Sequence, residues 1–171
     1  MRDQVDDATQ RMLTTAATLS DDEIRQPSLL PGWTRGHVLA HLAGNADALR
    51  NLLIWARTGV KTPAYASQQA RDEAIEAGAG CTAAELLADV TRAAEAFGAE
   101  AAALGARAWA VPVHLLDGQE FPAALVLTRR LVEVELHHTD LGAGYRRADW
   151  PAAFAAMDLP EPMRSQRADR R

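Results

Sequence analysis

Apolar residues recur along most of the chain at intervals of three and four positions, whereas the alternation of a half-buried β-strand is nearly absent. This spacing predicts amphipathic helices over residues 3–19, from about 35 to 57, and over 83–103. Thr34 and Thr82 stand directly before the second and third of these segments, where a threonine side chain caps a helix. The pattern therefore predicts a largely helical protein.

The remaining segments add one more long helix and one extended stretch. Residues 20–23, "SDDE", have the pattern of a capping box that opens a short helical turn. Residues 109–121, "WAVPVHLLDGQEF", favour extended structure around an Asp-Gly turn. Pro122 fits the first position of a final long helix, which we expect to end at Gly142 or Gly144.

Four long amphipathic helices without an internal repeat predict an all-α fold, a single four-helix bundle whose connections are long enough for a crossover. The bundle is expected to span residues 1–155, with a short helix restarting in "ADWPAAF" at 148–154. Residues 156–171 contain two prolines, no apolar face and a basic end. We therefore predict a disordered tail there.

Composition narrows the class of protein further. The 171 residues are 48% hydrophobic and 24% charged, and no apolar run approaches the roughly 18 residues of a membrane span. The N-terminus lacks the apolar region of a signal peptide, and the single cysteine, Cys81, fits a reducing compartment, so we expect a cytoplasmic protein. A net charge of -5 argues against nucleic acid as a partner.

Candidate chemistry is concentrated on the second and fourth long helices. His37 and His41 lie four residues apart, as do Glu133 and His137, so each pair shares a helix face. His138 points about 100 degrees away from that face. Inward-facing glutamate and histidine side chains of a bundle build metal sites, and two nitrogens with one oxygen leave a coordination position open.

The same spacing has an ordinary structural explanation. Isolated histidines on helices are more often packed or solvated than metal-bound, and an acidic residue four positions before a histidine also stabilises a helix. His41 borders the apolar face together with Val38, Leu42 and Leu49, which favours a position inside the bundle. Spacing alone leaves both interpretations open.

Three stretches make a specific resemblance: "LPGWTRGHVLAHLAGNADALRNLLIWARTG", "RRLVEVELHHTDLGAGY" and "ADWPAAF". Together they resemble the mycothiol-dependent maleylpyruvate isomerase family, whose N-terminal domain is a DinB-like four-helix bundle. The similarity covers most of residues 5–155. By position, the resemblance implies that His41, Glu133 and His137 hold a divalent metal, usually zinc. Non-haem iron sites use a similar ligand set, so zinc is the leading choice among metals.

Other residues of these stretches take lesser roles. Asn45 is expected to line the cofactor cavity, and His138 and Asp140 to orient or border the site. His37 is interpreted as a neighbouring or surface residue, and Cys81 as structural, because it lies outside both histidine motifs.

The resemblance also implies a chemistry. The open metal position would bind the sulfur of mycothiol, the small thiol of actinobacteria, and zinc would keep it as a thiolate. In the isomerase, that thiolate adds to maleylpyruvate, allows rotation about the former double bond and leaves as fumarylpyruvate forms. A related S-transferase or detoxification reaction with another small electrophile is the first alternative.

Family members usually continue past the "DWPAAF" helix into a C-terminal domain that helps to close the cleft, and we expect that domain to be absent here. The three expected ligands precede this point, so we expect the chain to bind metal even without the C-terminal domain. We expect it to isomerise maleylpyruvate poorly or not at all. The sequence thus also admits a metal-binding fragment without turnover, or a helical interaction module without chemistry.

Overall fold

The fold is described from a computed structural model, which covers residues 1–170. Within that range helices dominate, and a two-stranded antiparallel hairpin is the sheet structure. The elements are α1 (Arg2–Ala16), α2 (Asp21–Ile24), α3 (Arg35–Thr58), α4 (Gln68–Ala79), α5 (Ala83–Ala103), β1 (Pro112–His114), β2 (Glu120–Pro122), α6 (Leu125–Asp140), α7 (Ala152–Ala155) and α8 (Met163–Ala168).

The four long helices α1, α3, α5 and α6 form the bundle. Helix α1 packs against α5 and α6, and α3 packs against the same two helices. Consecutive long helices α1 and α3 therefore lie on a diagonal, and so do α5 and α6. The segments that join each diagonal pair cross an end of the bundle, which confirms the predicted all-α, DinB-like bundle with crossover connections.

Apolar stripes of the four helices supply the core, as their spacing predicts. Met12, Leu52, Val90 and Val134, one from each long helix, are completely inaccessible to solvent. Helices α3 and α5 begin at capping boxes, in which the side chain of the N-cap threonine accepts a hydrogen bond from the backbone of the third helical residue. Local capping and burial therefore place both helices where the sequence indicates.

The hairpin corrects the predicted start of the last long helix. Pro122 is the final residue of β2, where it lies opposite Pro112, and α6 begins only at Leu125. The backbone N–H groups of Ala123 and Ala124 donate to the carbonyl oxygens of Val111 and Trp109, at 2.9 Å each. These two residues continue the hairpin pairing, so they are not available to begin the helix.

The C-terminal segment also differs from the expectation. Residues 156–171 were predicted to be disordered. Residue 171 lies outside the described part of the chain, but residues 156–170 include α8 and pack against α6. Leu159 and Met163 are buried there, and the Arg167 guanidinium donates to the carbonyl oxygen of Phe154. Two well-spaced apolar anchors are enough to order a short segment, although they are too few to produce a helical pattern in the sequence.

No helix in the described part of the chain is both long enough and apolar enough to span a membrane.

Candidate metal centre

Side chains from α3 and α6 converge between the two helices. Nε2 of His41 lies 2.9 Å from Oε2 of Glu133, and Nε2 of His137 lies 3.3 Å from the same oxygen. The imidazole rings of His41 and His137 meet nearly perpendicular, with centroids 4.5 Å apart. The structure therefore brings together the three residues that the sequence selected as ligands.

This donor set fits a divalent cation. One ligand atom from each of His41, Glu133 and His137 can be chosen so that all three lie within 4.8 Å of one another. Tetrahedral zinc, with bonds of about 2.0–2.2 Å, separates its ligand atoms by about 3.3–3.5 Å, so side-chain shifts alone would accommodate it. Among residues 1–170 these are the only three that form such a group.

The electrostatics of the cluster favour an ionised carboxylate. Burial alone would raise the pKa of Glu133, but hydrogen bonds with His137 and His41 hold it well below its ordinary value. Burial and the neighbouring His137 lower the pKa of His41. Burial lowers the pKa of His137, but the contacts with Asp140 and Glu133 raise it by more, so its pKa lies above the ordinary value. Glu133 is thus an anion at neutral pH and His41 is neutral.

Arg71 touches the cluster from α4 and indicates the proton arrangement on His41. Its Nη2 lies 3.3 Å from Nδ1 of His41, and because arginine has only donors, Nδ1 accepts this hydrogen bond. Nε2 of the neutral ring then carries the proton, which it donates to Glu133. For the neutral ring to bind a cation through Nε2, the proton has to be on Nδ1, and the hydrogen bond from Arg71 to Nδ1 then has to break.

A cavity of about 220 Å³ opens beside His41 and Glu133. Its polar lining combines two guanidinium groups with amide, phenol and carboxyl groups, and three leucines complete the wall. The polar members other than His41 and Glu133 are Asn45, Tyr65, Gln68, Arg71, Asp117 and Arg129. A cavity of this size accommodates a small polar molecule or the reactive end of a larger one.

Asn45 lines the cavity, as predicted, and its side chain also contacts the buried Arg130. Its Oδ1 accepts a hydrogen bond of 2.9 Å from Nη1 of Arg130, which donates equally to the carbonyl oxygen of Leu42. Arg130 is fully buried, and burial lowers its pKa to about 10. Arg130 is not among the residues predicted for the site, although the charged pair inside an apolar helix, "TRRLV", is a signal in the sequence.

Of the other two residues predicted to orient or border the site, Asp140 lies at the cluster and His138 does not. Asp140 is buried with Oδ2 2.9 Å from Nδ1 of His137, which places it directly behind a proposed ligand. His138 is not brought to the cluster: its ring stacks on Tyr145 with centroids 3.8 Å apart, and its Nε2 lies 2.7 Å from the Thr15 hydroxyl. The 100 degree step along α6 turns it toward α1.

His37 and Cys81 lie outside the cluster, as expected. The His37 imidazole contacts Thr34 through Nδ1, at 2.7 Å from its hydroxyl oxygen, and so belongs to the capping box of α3. Cys81 precedes α5 and is half-buried without a disulfide partner. Tyr65 and Arg71, which do line the site, lie in a connector and a polar helix that carry no motif.

A crossed four-helix bundle with histidine and glutamate side chains converging from two helices defines a DinB-like domain with a candidate metal centre. Residues 5–142 match the family model described as the mycothiol maleylpyruvate isomerase N-terminal domain. The chain belongs to that family, which confirms the resemblance seen in its motifs.

Solved structures agree with this assignment. The crystal structure of the mycothiol-dependent maleylpyruvate isomerase is 33% identical to this chain, and that of a histidine-to-alanine mutant is 32% identical. Both superpose with a TM-score of 0.86 over 90% of this chain. The chain spans 64% of the length of either structure. Among curated proteins, none matches this sequence significantly.

Proposed function

We propose that this chain binds a divalent metal, preferentially zinc, through His41, Glu133 and His137, and that it acts with mycothiol on a small electrophile. The observation that carries this proposal is the convergence of these three side chains beside a cavity. Two neutral or neutralisable imidazoles and one carboxylate match the ligand set of catalytic zinc sites, which keep a position open.

The surroundings of the cluster suit a thiol-dependent reaction. When bound, the metal would supply Lewis acidity that lowers the pKa of a thiol. The chain itself supplies a half-buried carboxylate and two imidazoles to hold the cation, and guanidinium groups of Arg71 and Arg129 that line the cavity. Positive groups there favour an electrophile that carries carboxylates.

Maleylpyruvate, converted to fumarylpyruvate, is the substrate we propose. Its support is the family to which the chain belongs and the likeness to the solved mycothiol-dependent maleylpyruvate isomerase. Because the chain spans 64% of that structure, metal binding and turnover are separate questions and need separate measurements.

Metal binding is tested by elemental analysis and zinc titration of wild type and His41→Ala. We expect about one zinc per chain for wild type and binding weakened at least about a hundredfold in the variant, because one of three protein ligands is gone. His37→Ala is the matched control, since this histidine lies one turn away on α3 and caps the helix. Equal zinc binding by all three proteins would refute the metal site.

Turnover is tested with zinc-loaded protein, mycothiol and maleylpyruvate in a spectrophotometric assay. Isomerisation that disappears in Glu133→Gln would assign the reaction to this site, because the variant keeps the shape of the side chain and removes its charge. If the protein binds mycothiol but does not isomerise maleylpyruvate, its substrate is another electrophile or it only binds the thiol. Absence of thiol binding to zinc-loaded protein would reject the thiol-dependent function.

A further inference from the structure

An arginine near the end of the chain reaches the back of the candidate metal centre. Nε of Arg170 donates to Oδ1 of Asp140 at 2.9 Å, and its Nη2 donates to Oδ2 at 2.8 Å. Asp140 is the last residue of α6, and its side chain is only 4% exposed. Arg170 is 30 positions away in sequence, and the fold of residues 156–170 returns it to this carboxylate.

The same carboxylate faces a proposed ligand on its other side. Oδ2 of Asp140 lies 2.9 Å from Nδ1 of His137, an ion-pair contact whose angle falls outside the range of a hydrogen bond. Nε2 of the same imidazole lies 3.3 Å from Oε2 of Glu133. The groups thus form a continuous line from Arg170 through Asp140 and His137 to Glu133. Within residues 1–170, Arg170 is the one arginine or lysine side chain that forms an ion pair with Asp140.

We propose that Arg170 is a positioning residue for His137, acting through Asp140. A carboxylate that accepts two parallel N–H bonds from a guanidinium is fixed in its plane, whereas one held by a single imidazole rotates more freely. A carboxylate behind a ligating histidine fixes the orientation of the ring and strengthens the ligand. Arg170 therefore holds the Asp140 carboxylate where His137 needs it.

This role differs from holding the C-terminal segment in place. The segment has its own anchors, because Leu159 and Met163 are buried and Arg167 donates to the carbonyl oxygen of Phe154 at 2.7 Å. Arg167 precedes Arg170 by three residues and makes no ion pair with a group of the metal centre. It provides a matched control for loss of an arginine from the same segment.

The inference rests on the proposed metal site, and zinc affinity, measured by competition with a chromophoric chelator, tests it. We expect Arg170→Gln to weaken zinc binding about tenfold, the lower end of the effect of losing an outer partner of a ligand. Arg170→Lys should restore part of the loss, because it keeps the charge without the planar fork. Arg167→Gln should bind zinc within about twofold of wild type.

A double-mutant cycle identifies the route of the effect. If Arg170 acts through Asp140, Arg170→Gln causes no further loss of zinc affinity in an Asp140→Asn background. An equal loss in both backgrounds, equal losses for Arg170→Gln and Arg167→Gln, or no loss for Arg170→Gln would each overturn the positioning role. Absence of zinc binding in wild type would instead refute the proposed metal site, so the two failures are distinguishable.

Discussion

Helix α6 carries buried polar groups on two faces, and only one face belongs to the metal centre. On the other, Glu135 is 1% exposed and accepts hydrogen bonds of 2.6 Å from Arg11 and from the Tyr145 hydroxyl. His138 stacks on Tyr145 and contacts Thr15 of α1. Burial and the bond to Glu135 raise the pKa of Tyr145. This network ties α1 and the segment after α6 to the bundle.

His138 is expected to make stability depend on pH. Burial, reinforced by the charge of Arg11, lowers its pKa from 6.5 to about 4. Between these values the unfolded chain binds a proton that the folded chain does not, so acidification lowers the free energy of unfolding, by up to about 2 kcal/mol. Urea unfolding in the presence of a chelator at pH 7 and pH 4.5 measures this loss. His138→Gln should lose less stability over the same interval; parallel losses would contradict the assignment.

At the scale of elements, the beginnings of α3 and α5 are set by short local sequences. In α5 the Thr82 side chain accepts from the backbone N–H of Glu85, and the Glu85 carboxylate accepts from the backbone N–H of Thr82 at 2.8 Å. The α3 box is built in the same way, with His37 in the place of the glutamate. These reciprocal bonds satisfy donors that a helix start otherwise leaves free.

Thr82→Ala should lower the free energy of unfolding by about 1 kcal/mol, because it removes the acceptor at the N-cap of α5. Thr82→Ser keeps the hydroxyl and should stay within about 0.5 kcal/mol of wild type. Chemical denaturation of the three proteins under identical conditions measures the difference. If alanine and serine variants are equally stable, the capping box contributes nothing to stability.

On the scale of the whole molecule, the C-terminal segment completes the packing around α6. Its apolar anchors enter the core, and Nε1 of Trp150 donates to the Thr139 hydroxyl at 2.9 Å. Phe154 packs edge-on against Trp150, with ring centroids 5.2 Å apart. The same segment carries Arg170, whose guanidinium reaches Asp140 behind the metal centre.

Leu159→Ala should loosen this segment. Leu159 is completely buried, and truncating such a side chain costs about 2–4 kcal/mol. Local opening then increases, and tryptic cleavage after the arginines of residues 164–170 should become at least about thirtyfold faster. Val60→Ala, at a side chain that is 67% exposed, serves as the control and should not change the rate. Rapid cleavage of the wild-type segment would show that it is not packed.

The sequence by itself determined the positions of the long helices and the part of the metal centre that lies on α6. Helical periodicity and the threonine caps located α3 and α5 closely, because both signals are contained within a few turns of chain. The spacing of Glu133 and His137 put them on one face of α6, since residues four apart are neighbours on any helix. His41 was assigned to the same cluster from a recognised motif, not from spacing.

Tertiary structure decided the contacts between segments distant in sequence. Because of the hairpin pairing, α6 begins only at Leu125. Packing between helices places Arg71 beside His41 and directs His138 toward α1. It also ordered residues 156–170 and joined Arg170 to Asp140. These features rest on a few long-range contacts each, which leave no periodic pattern along the chain. Their free energy comes from burial and pairing that exist only once the bundle has formed.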